Sequence, residues 1–200
     1  MDKNVIYEAK QSYHQFTRNI SWSYNGSLQD VKNYFWAYVK HCTNNEHPVV
    51  LAEQYTKICQ WLYTNNGLSL LLYGGTGQGK TMIMQKIIPV MLYILHNKII
   101  HKYTADYLQD NRQGLNIALS KPIITVDDVG IEARSDYKDL AFTKVLNAVD
   151  NWKMVSIVST NLNGESLRTY YGDRAWSRIL GNFDCVMFDG NTDFRTIRKL

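Results

Sequence analysis

The sequence predicts an α/β fold, a three-layer arrangement in which helices cover both faces of a five-stranded, mainly parallel sheet. Three observations carry that prediction. From Leu68 onward, short apolar runs alternate with longer amphipathic stretches, the pattern of strand–helix–strand units. One such run, Leu68-Ser69-Leu70-Leu71-Leu72-Tyr73, leads directly into GGTGQGKT at residues 74–81, which fits G-x-x-x-x-G-K-[ST]. Another, Pro122 to Val126, ends in the pair Asp127-Asp128.

Residues 1–26 are polar and aromatic-rich, with no clear period. Ser27 and Asp30 have capping-box spacing and predict a helix start. Val31, Tyr34, Phe35, Tyr38 and Val39 then fall at helical spacing on one apolar face. Packing on its own domain is the plain reading of such a stripe; docking a partner or stacking on single-stranded bases is the alternative. Residues 43–48 (TNNEHP) read as a turn or linker. A second helix is expected over about 49–63, closed by the C-cap signature Thr64-Asn65-Asn66-Gly67. Strands are expected at 68–73, 99–103, 122–127, 154–160 and 184–188, and helices at 80–97, 104–119, 138–152 and 164–180. The chain thus divides into a short helical and aromatic extension, 1–45, and an α/β domain, 46–200.

Composition narrows the class. Two hundred residues, 45 % of them hydrophobic, suffice for a core. Cys42, Cys59 and Cys185 are odd in number, far apart and without metal-ligand spacing, which fits a reducing cytoplasm. The opening MDKNVIYEAK lacks the apolar stretch of a signal peptide. The longest apolar run, Ile87 to Leu95, contains Pro89 and is too short to span a membrane. The net charge of +4 is compatible with nucleic acid without demanding it. Basic residues recur toward the end of the chain, at Arg168, Arg174, Arg178, Arg195, Arg198 and Lys199.

The chemistry concentrates in four stretches. In the first, Gly74, Gly75, Thr76, Gly77, Gln78 and Gly79 would wrap backbone N–H groups round a phosphate. Lys80 would reach the β- and γ-phosphates, the Thr81 hydroxyl would sit on Mg²⁺, and Met82 would follow in a helix whose positive end faces the anion. In the second, a buried strand places Asp127 at the carboxyl edge of the sheet to support Mg²⁺, with Asp128 beside it to polarise the attacking water. A turn stabilised by local Asp–backbone bonds is the competing reading of that pair. In the third, Met154 to Thr160 is an apolar strand whose tip, Asn161, could bond the γ-phosphate or the lytic water. In the fourth, Arg174 and Arg178 lie four apart on one helix face. Either could reach a neighbouring subunit's nucleotide, or simply bridge surface carboxylates.

In order and wording, GGTGQGKT, VDDVGIE, VSTNLN and YGDRAWSRI resemble the AAA+ ATPases of the DnaC and IstB type. The resemblance covers roughly residues 45–200. DnaC-type members load a replicative helicase onto DNA and IstB-type members assist a transposase. The resemblance implies a P-loop ATPase domain using ATP and Mg²⁺ at the interface of a homo-oligomer. It makes Lys80 and Thr81 the Walker A pair, Asp127 and Asp128 the Walker B pair, Asn161 the first sensor, Arg178 the arginine finger with its neighbour Arg174 as the alternative, and Arg195 an approach to the nucleotide near the C-terminus. Departures are visible too. Asp128 stands where many AAA+ proteins carry Glu, and no helical lid is expected after Arg195. The first 45 residues do not resemble a helicase-binding or transposase-binding domain. Contact with single-stranded DNA through Arg134, Lys138 and Lys144 is a further expectation. Two other classes compete. One is a small-molecule kinase, for which 105–120 supplies only Arg112 as lid arginine. The other is a nucleotide-gated binding module with negligible turnover.

Overall fold

The computed structural model describes residues 20–43, 53–131, 140–151 and 154–188. Helix α1 (Leu28–Cys42) starts where Ser27 and Asp30 exchange side-chain and backbone hydrogen bonds, a complete capping box. Val31, Phe35 and Val39 are its buried residues. Tyr34, expected on the same face, is instead exposed: it lies at the margin of a stripe that the i, i+4, i+8 positions already fill, where a phenol can keep its hydroxyl in water. Helix α2 (Glu53–Tyr63) follows, and the chain turns through Asn66 and Gly67, both at positive φ, into β1 (Ser69–Gly74).

A long helix, α3, comes next, formed by Lys80–Met82, a π-helical turn Ile83–Ile87, and Ile88–His96. The π turn explains how Pro89 is tolerated inside a helix. Proline has no N–H to give the carbonyl four residues back, and its ring crowds that carbonyl. Here the carbonyl is that of Gln85, and Lys102 Nζ donates to it at 2.5 Å.

The remaining elements are β2 (His101–Thr104), α4 (Ala105–Asp110), α5 (Arg112–Leu119), β3 (Ile123–Val129), α6 (Ala141–Asp150), β4 (Val155–Thr160), α7 (Gly164–Tyr171), α8 (Asp173–Asn182) and β5 (Phe183–Phe188). Two expected helices are each broken in two. The stretch 104–119 splits at Asn111, whose extended backbone ends α4 while its side chain caps α5 at the Gly114 N–H. The stretch 164–180 splits at Gly172, at φ 84° and ψ 166°, a conformation open to glycine alone.

The five strands form one parallel sheet in the order β2-β3-β4-β1-β5. Alternation along β1 sorts the core. Leu70 and Leu72 face α1, α2 and α3; Leu71 faces the other side, with Val145 and Leu146 of α6 and Ile179 of α8 in the same cluster. The result is three layers, and α1 belongs to one of them: Val31, Phe35 and Val39 share a cluster with Ile83, Ile87 and Phe188. Among the described residues no helix is long and apolar enough to cross a membrane.

Strand order fixes where the chemistry gathers. β4 lies between β1 and β3, so the carboxyl tip of β4 is flanked by the loop after β1 and by the acidic end of β3.

Candidate nucleotide site

The loop after β1 is held tightly on one side. Gly74 has φ +126°, and a Cβ built there would lie 2.0 Å from the Phe188 carbonyl oxygen. Gly75 N–H donates to that same oxygen at 3.2 Å. The end of β5 therefore braces the start of the loop, and only glycine fits at the contact. Gly75 and Thr76 are exposed, Gly77 and Gln78 are buried, and Gly79, at φ +87°, opens α3 without a side-chain cap. Met82 is half-buried in the first turn.

Lys80 is buried, and among the described residues its ammonium faces Gly74 O at 2.9 Å, Gly75 O at 2.6 Å and Asn161 Oδ1 at 2.9 Å. An ammonium donates through its N–H bonds, and a buried charge requires such partners. The contact to Asn161 spans 81 residues of sequence and closes the gap between the β1 loop and the tip of β4.

Thr81 Oγ1 donates to Asp127 Oδ1 at 3.3 Å, joining the same loop to β3. Asp127 is almost fully buried. Ser159 Oγ also donates to Asp127 Oδ1, as does the Asp128 N–H at 3.1 Å. Asp128 takes φ +56°, a left-handed conformation uncommon outside glycine. Its N–H is shared with Ser159 Oγ at 3.2 Å. After Asp128, Thr160 Oγ1 donates to Val129 O at 2.6 Å and pins the strand end.

Lys80, Thr81, Asp127, Asp128 and Asn161 are thus drawn together. Arg174 and Arg178 share α8 but differ in environment. Arg178 Nε lies 3.0 Å from Asp150 Oδ2, and Asn182 Nδ2 holds the other carboxylate oxygen at 3.0 Å. Arg174 is exposed and makes no ion pair among the described residues. Lys144 is exposed on α6. Glu132, Arg134, Lys138 and Arg195 lie outside the described residues. Two parts of the site have no role in the motif reading: Ser159, which lies in VSTNLN only as a polar neighbour of Asn161, and the Phe188 carbonyl, a backbone group with no sequence signal.

The donor set suits a small hard cation beside a phosphate. A threonine hydroxyl and a carboxylate share one point, and both offer oxygen ligands. Among the described residues no cluster of three or more acidic, histidine or cysteine side chains could hold a metal alone. A cation here would need further ligands from phosphate and water, as Mg²⁺ sites commonly do.

No protein-family model matches the sequence, and no curated protein matches it significantly. Solved structures do match. The crystal structure of the DnaC helicase loader superposes with a TM-score of 0.58 at 19% identity, covering 79% of this chain and 99% of that one. The crystal structure of DnaI gives 0.60 at 16% identity, covering 78% and 93%. AMPPCP-bound DnaA from Aquifex aeolicus gives 0.56 at 17% identity, covering 80% of this chain and 54% of that one. At such identities the likeness is one of fold. The fold expected from the resemblance to DnaC-type AAA+ proteins is the fold observed, a five-stranded parallel P-loop domain with no separate lid among the described residues.

Proposed function

We propose that this chain is an AAA+ ATPase of the helicase-loader type, binding ATP with Mg²⁺ at a subunit interface and acting on a DNA-replication or mobile-element protein. The observation that carries the reading is the convergence at Lys80. One ammonium touches the loop carbonyls and Asn161, while its neighbour Thr81 touches Asp127. Three sequence motifs from three strand ends meet within hydrogen-bond reach.

Gly74 to Gly79 would cradle the phosphates, and Lys80 would exchange its loop carbonyls for phosphate oxygens. Thr81 and Asp127 would hold Mg²⁺, which when bound neutralises charge on the β- and γ-phosphates. Asp128, at the strand tip, would accept a proton from water, and Asn161 would orient that water or the γ-phosphate. Arg174 is the better placed arginine finger. It is exposed and unpaired by any described carboxylate, whereas Arg178 is engaged by Asp150. Arg178 then orders α8 for that contact.

The test is nucleotide binding and assembly on purified full-length protein. A fluorescent ATP analogue should bind with Mg²⁺, Lys80→Ala should abolish that binding, and ATP should raise the mass seen by light scattering. Arg174→Ala should bind nucleotide normally but lose turnover; an equal loss of binding would place Arg174 in its own subunit's site. Failure of the wild type to bind ATP removes the reading altogether. ATP-dependent partner capture without turnover would favour a nucleotide-gated binding module. Pull-down of a hydrolysis-blocked protein asks whether a replicative helicase or a transposase is the partner, and single-stranded DNA can be titrated in the same state.

A further inference from the structure

We infer that Ser159 positions the metal-side carboxylate, holding Asp127 by one oxygen and leaving the other to face a cation. The inference rests on the nucleotide-site reading above and concerns a residue of VSTNLN to which the motif reading gives no role.

The sheet register shows why Ser159 occupies this place. Val126 pairs with Val158, and the next pair is Val129 with Thr160. Three steps on β3 match two on β4, so β3 carries a bulge in which Asp127 and Asp128 together oppose Ser159. A bulge frees a backbone N–H from the ladder, and a buried N–H without an acceptor is costly. Here the freed group is the Asp128 N–H, and it finds Ser159 Oγ at 3.2 Å and Asp127 Oδ1 at 3.1 Å. A hydroxyl both accepts and donates, and Ser159 uses both capacities: it accepts from Asp128 and donates to Asp127 Oδ1. At 1% exposure it has no competing water.

The consequence lies on Asp127. Three donors end on Oδ1: Ser159 Oγ, Thr81 Oγ1 and the Asp128 N–H. Among the described residues none ends on Oδ2. Once Thr81 turns its hydroxyl oxygen toward a cation, Ser159 and the Asp128 N–H remain to fix the carboxylate plane. Alanine at 159 would remove the donor to Asp127 and one acceptor of the bulge amide, and the carboxylate would be free to rotate. Residues that orient ligands in this way commonly change metal affinity 10- to 100-fold, a magnitude of about one to two decades.

The experiment uses the full chain and a fluorescent ADP analogue, first in EDTA and then across a Mg²⁺ titration. In Ser159→Ala we expect the Mg²⁺ midpoint to rise about tenfold while the affinity in EDTA stays within about twofold. Ser159→Thr, which keeps the hydroxyl, should restore the midpoint, and thermal melts of both variants report on packing. Asp127→Asn supplies the decisive arm, because a residue acting through Asp127 has nothing further to lose in that background. An unchanged midpoint in Ser159→Ala overturns the inference. So does an equal loss of affinity with and without Mg²⁺, or a full additional shift on Asp127→Asn. A wild type that binds no nucleotide, or binds it without any response to Mg²⁺, overturns the site reading itself.

Discussion

At the amino end of β1, indole rings and backbone carbonyls close on one another; at its carboxyl end a buried ammonium and a buried carboxylate gather. The amino end is a clasp. Trp22 N–H donates to Asn65 Oδ1 at 3.0 Å, Trp22 Nε1 to Trp61 O at 3.2 Å, and Trp61 Nε1 to Leu68 O at 3.0 Å. The two indoles meet edge to face at 4.8 Å. The carboxyl end places a left-handed Asp128, a buried ammonium and a buried carboxylate within one small volume. Strain and buried charge are tolerated where a ligand is to be held, provided the rest of the domain is stable enough to hold them there. Variants at the two ends should therefore separate stability from binding.

The largest effect belongs to Gly74. Alanine there would put Cβ 2.0 Å from a backbone oxygen of β5, in a conformation that L-residues rarely adopt. The clash falls on a strand and not on a flexible side chain, so we expect a loss of at least about 3 kcal/mol and a Tm fall of roughly 10 °C. Nucleotide binding should vanish with it, measured by calorimetric melting and by titration with ATP. A Gly74→Ala protein that melts normally would mean that β5 does not brace the loop.

The clasp should answer differently. Asn65 is fully buried, its Oδ1 accepting from Trp22 and Gly67 and its Nδ2 donating to Leu68 O at 3.2 Å. Asn65→Ala leaves buried backbone groups without partners, a cost of about 2–3 kcal/mol. Nucleotide affinity, measured well below the melting transition, should stay within about twofold, the separation that Gly74→Ala cannot show. If affinity falls as far as stability does, the two ends are one cooperative unit and the contrast fails.

Sequence legibility follows the same division. Lys80, Thr81, Asp127 and Asn161 could be singled out from sequence because that reading rests on residue type at fixed spacing, and the fold brings them within hydrogen-bond reach of one another. The parallel sheet followed from apolar runs of strand length. What stayed hidden depends on backbone geometry. The bulge opposite Ser159 arises from a pairing register that no local pattern encodes. The breaks at Asn111 and Gly172 fall inside continuous apolar periodicity, and a lone Gly or Asn in such a stretch reads equally well as a tolerated helix residue. The different surroundings of Arg174 and Arg178 come from Asp150, which pairs with Arg178 and is near neither in sequence.

A smaller effect separates the two halves of the acidic pair. Asp128 contributes a carboxylate and also occupies φ +56°. Asp128→Ala and Asp128→Gly lose the same carboxylate, so their difference isolates the backbone. Glycine accepts the left-handed region and alanine does not, hence Asp128→Gly should be more stable by about 1 kcal/mol. Both should bind nucleotide with Mg²⁺ and both should lose turnover. Equal melting temperatures would show that the bulge relaxes when the carboxylate is removed, which would weaken the case for strain at the site.

The smallest expected effect returns to the clasp. His96 ends α3 with Nε2 at 2.7 Å from Leu62 O, and its ring lies 5.7 Å from that of Trp22 and 6.4 Å from that of Tyr24. Burial pushes its pKa below the usual imidazole value, Lys98 pushes the same way, and the bond to Leu62 opposes both. A lowered pKa means that the unfolded chain takes up the proton first. Above the ordinary value of 6.5 both states are neutral and the clasp is at full strength. As pH falls through 6.5 the unfolded state gains, and stability declines until the folded His96 also protonates. Chemical denaturation between pH 7.5 and 5.5 should show this decline, and His96→Gln, which keeps an amide N–H for Leu62, should remove that part of the slope. Since the ring is only half-buried the slope will be small. Because the clasp lies away from the phosphate loop, ATP affinity corrected for the folded fraction should be the same in His96→Gln and wild type at each pH. A titration midpoint in ATP binding that disappears with His96→Gln would instead connect the two ends of the sheet.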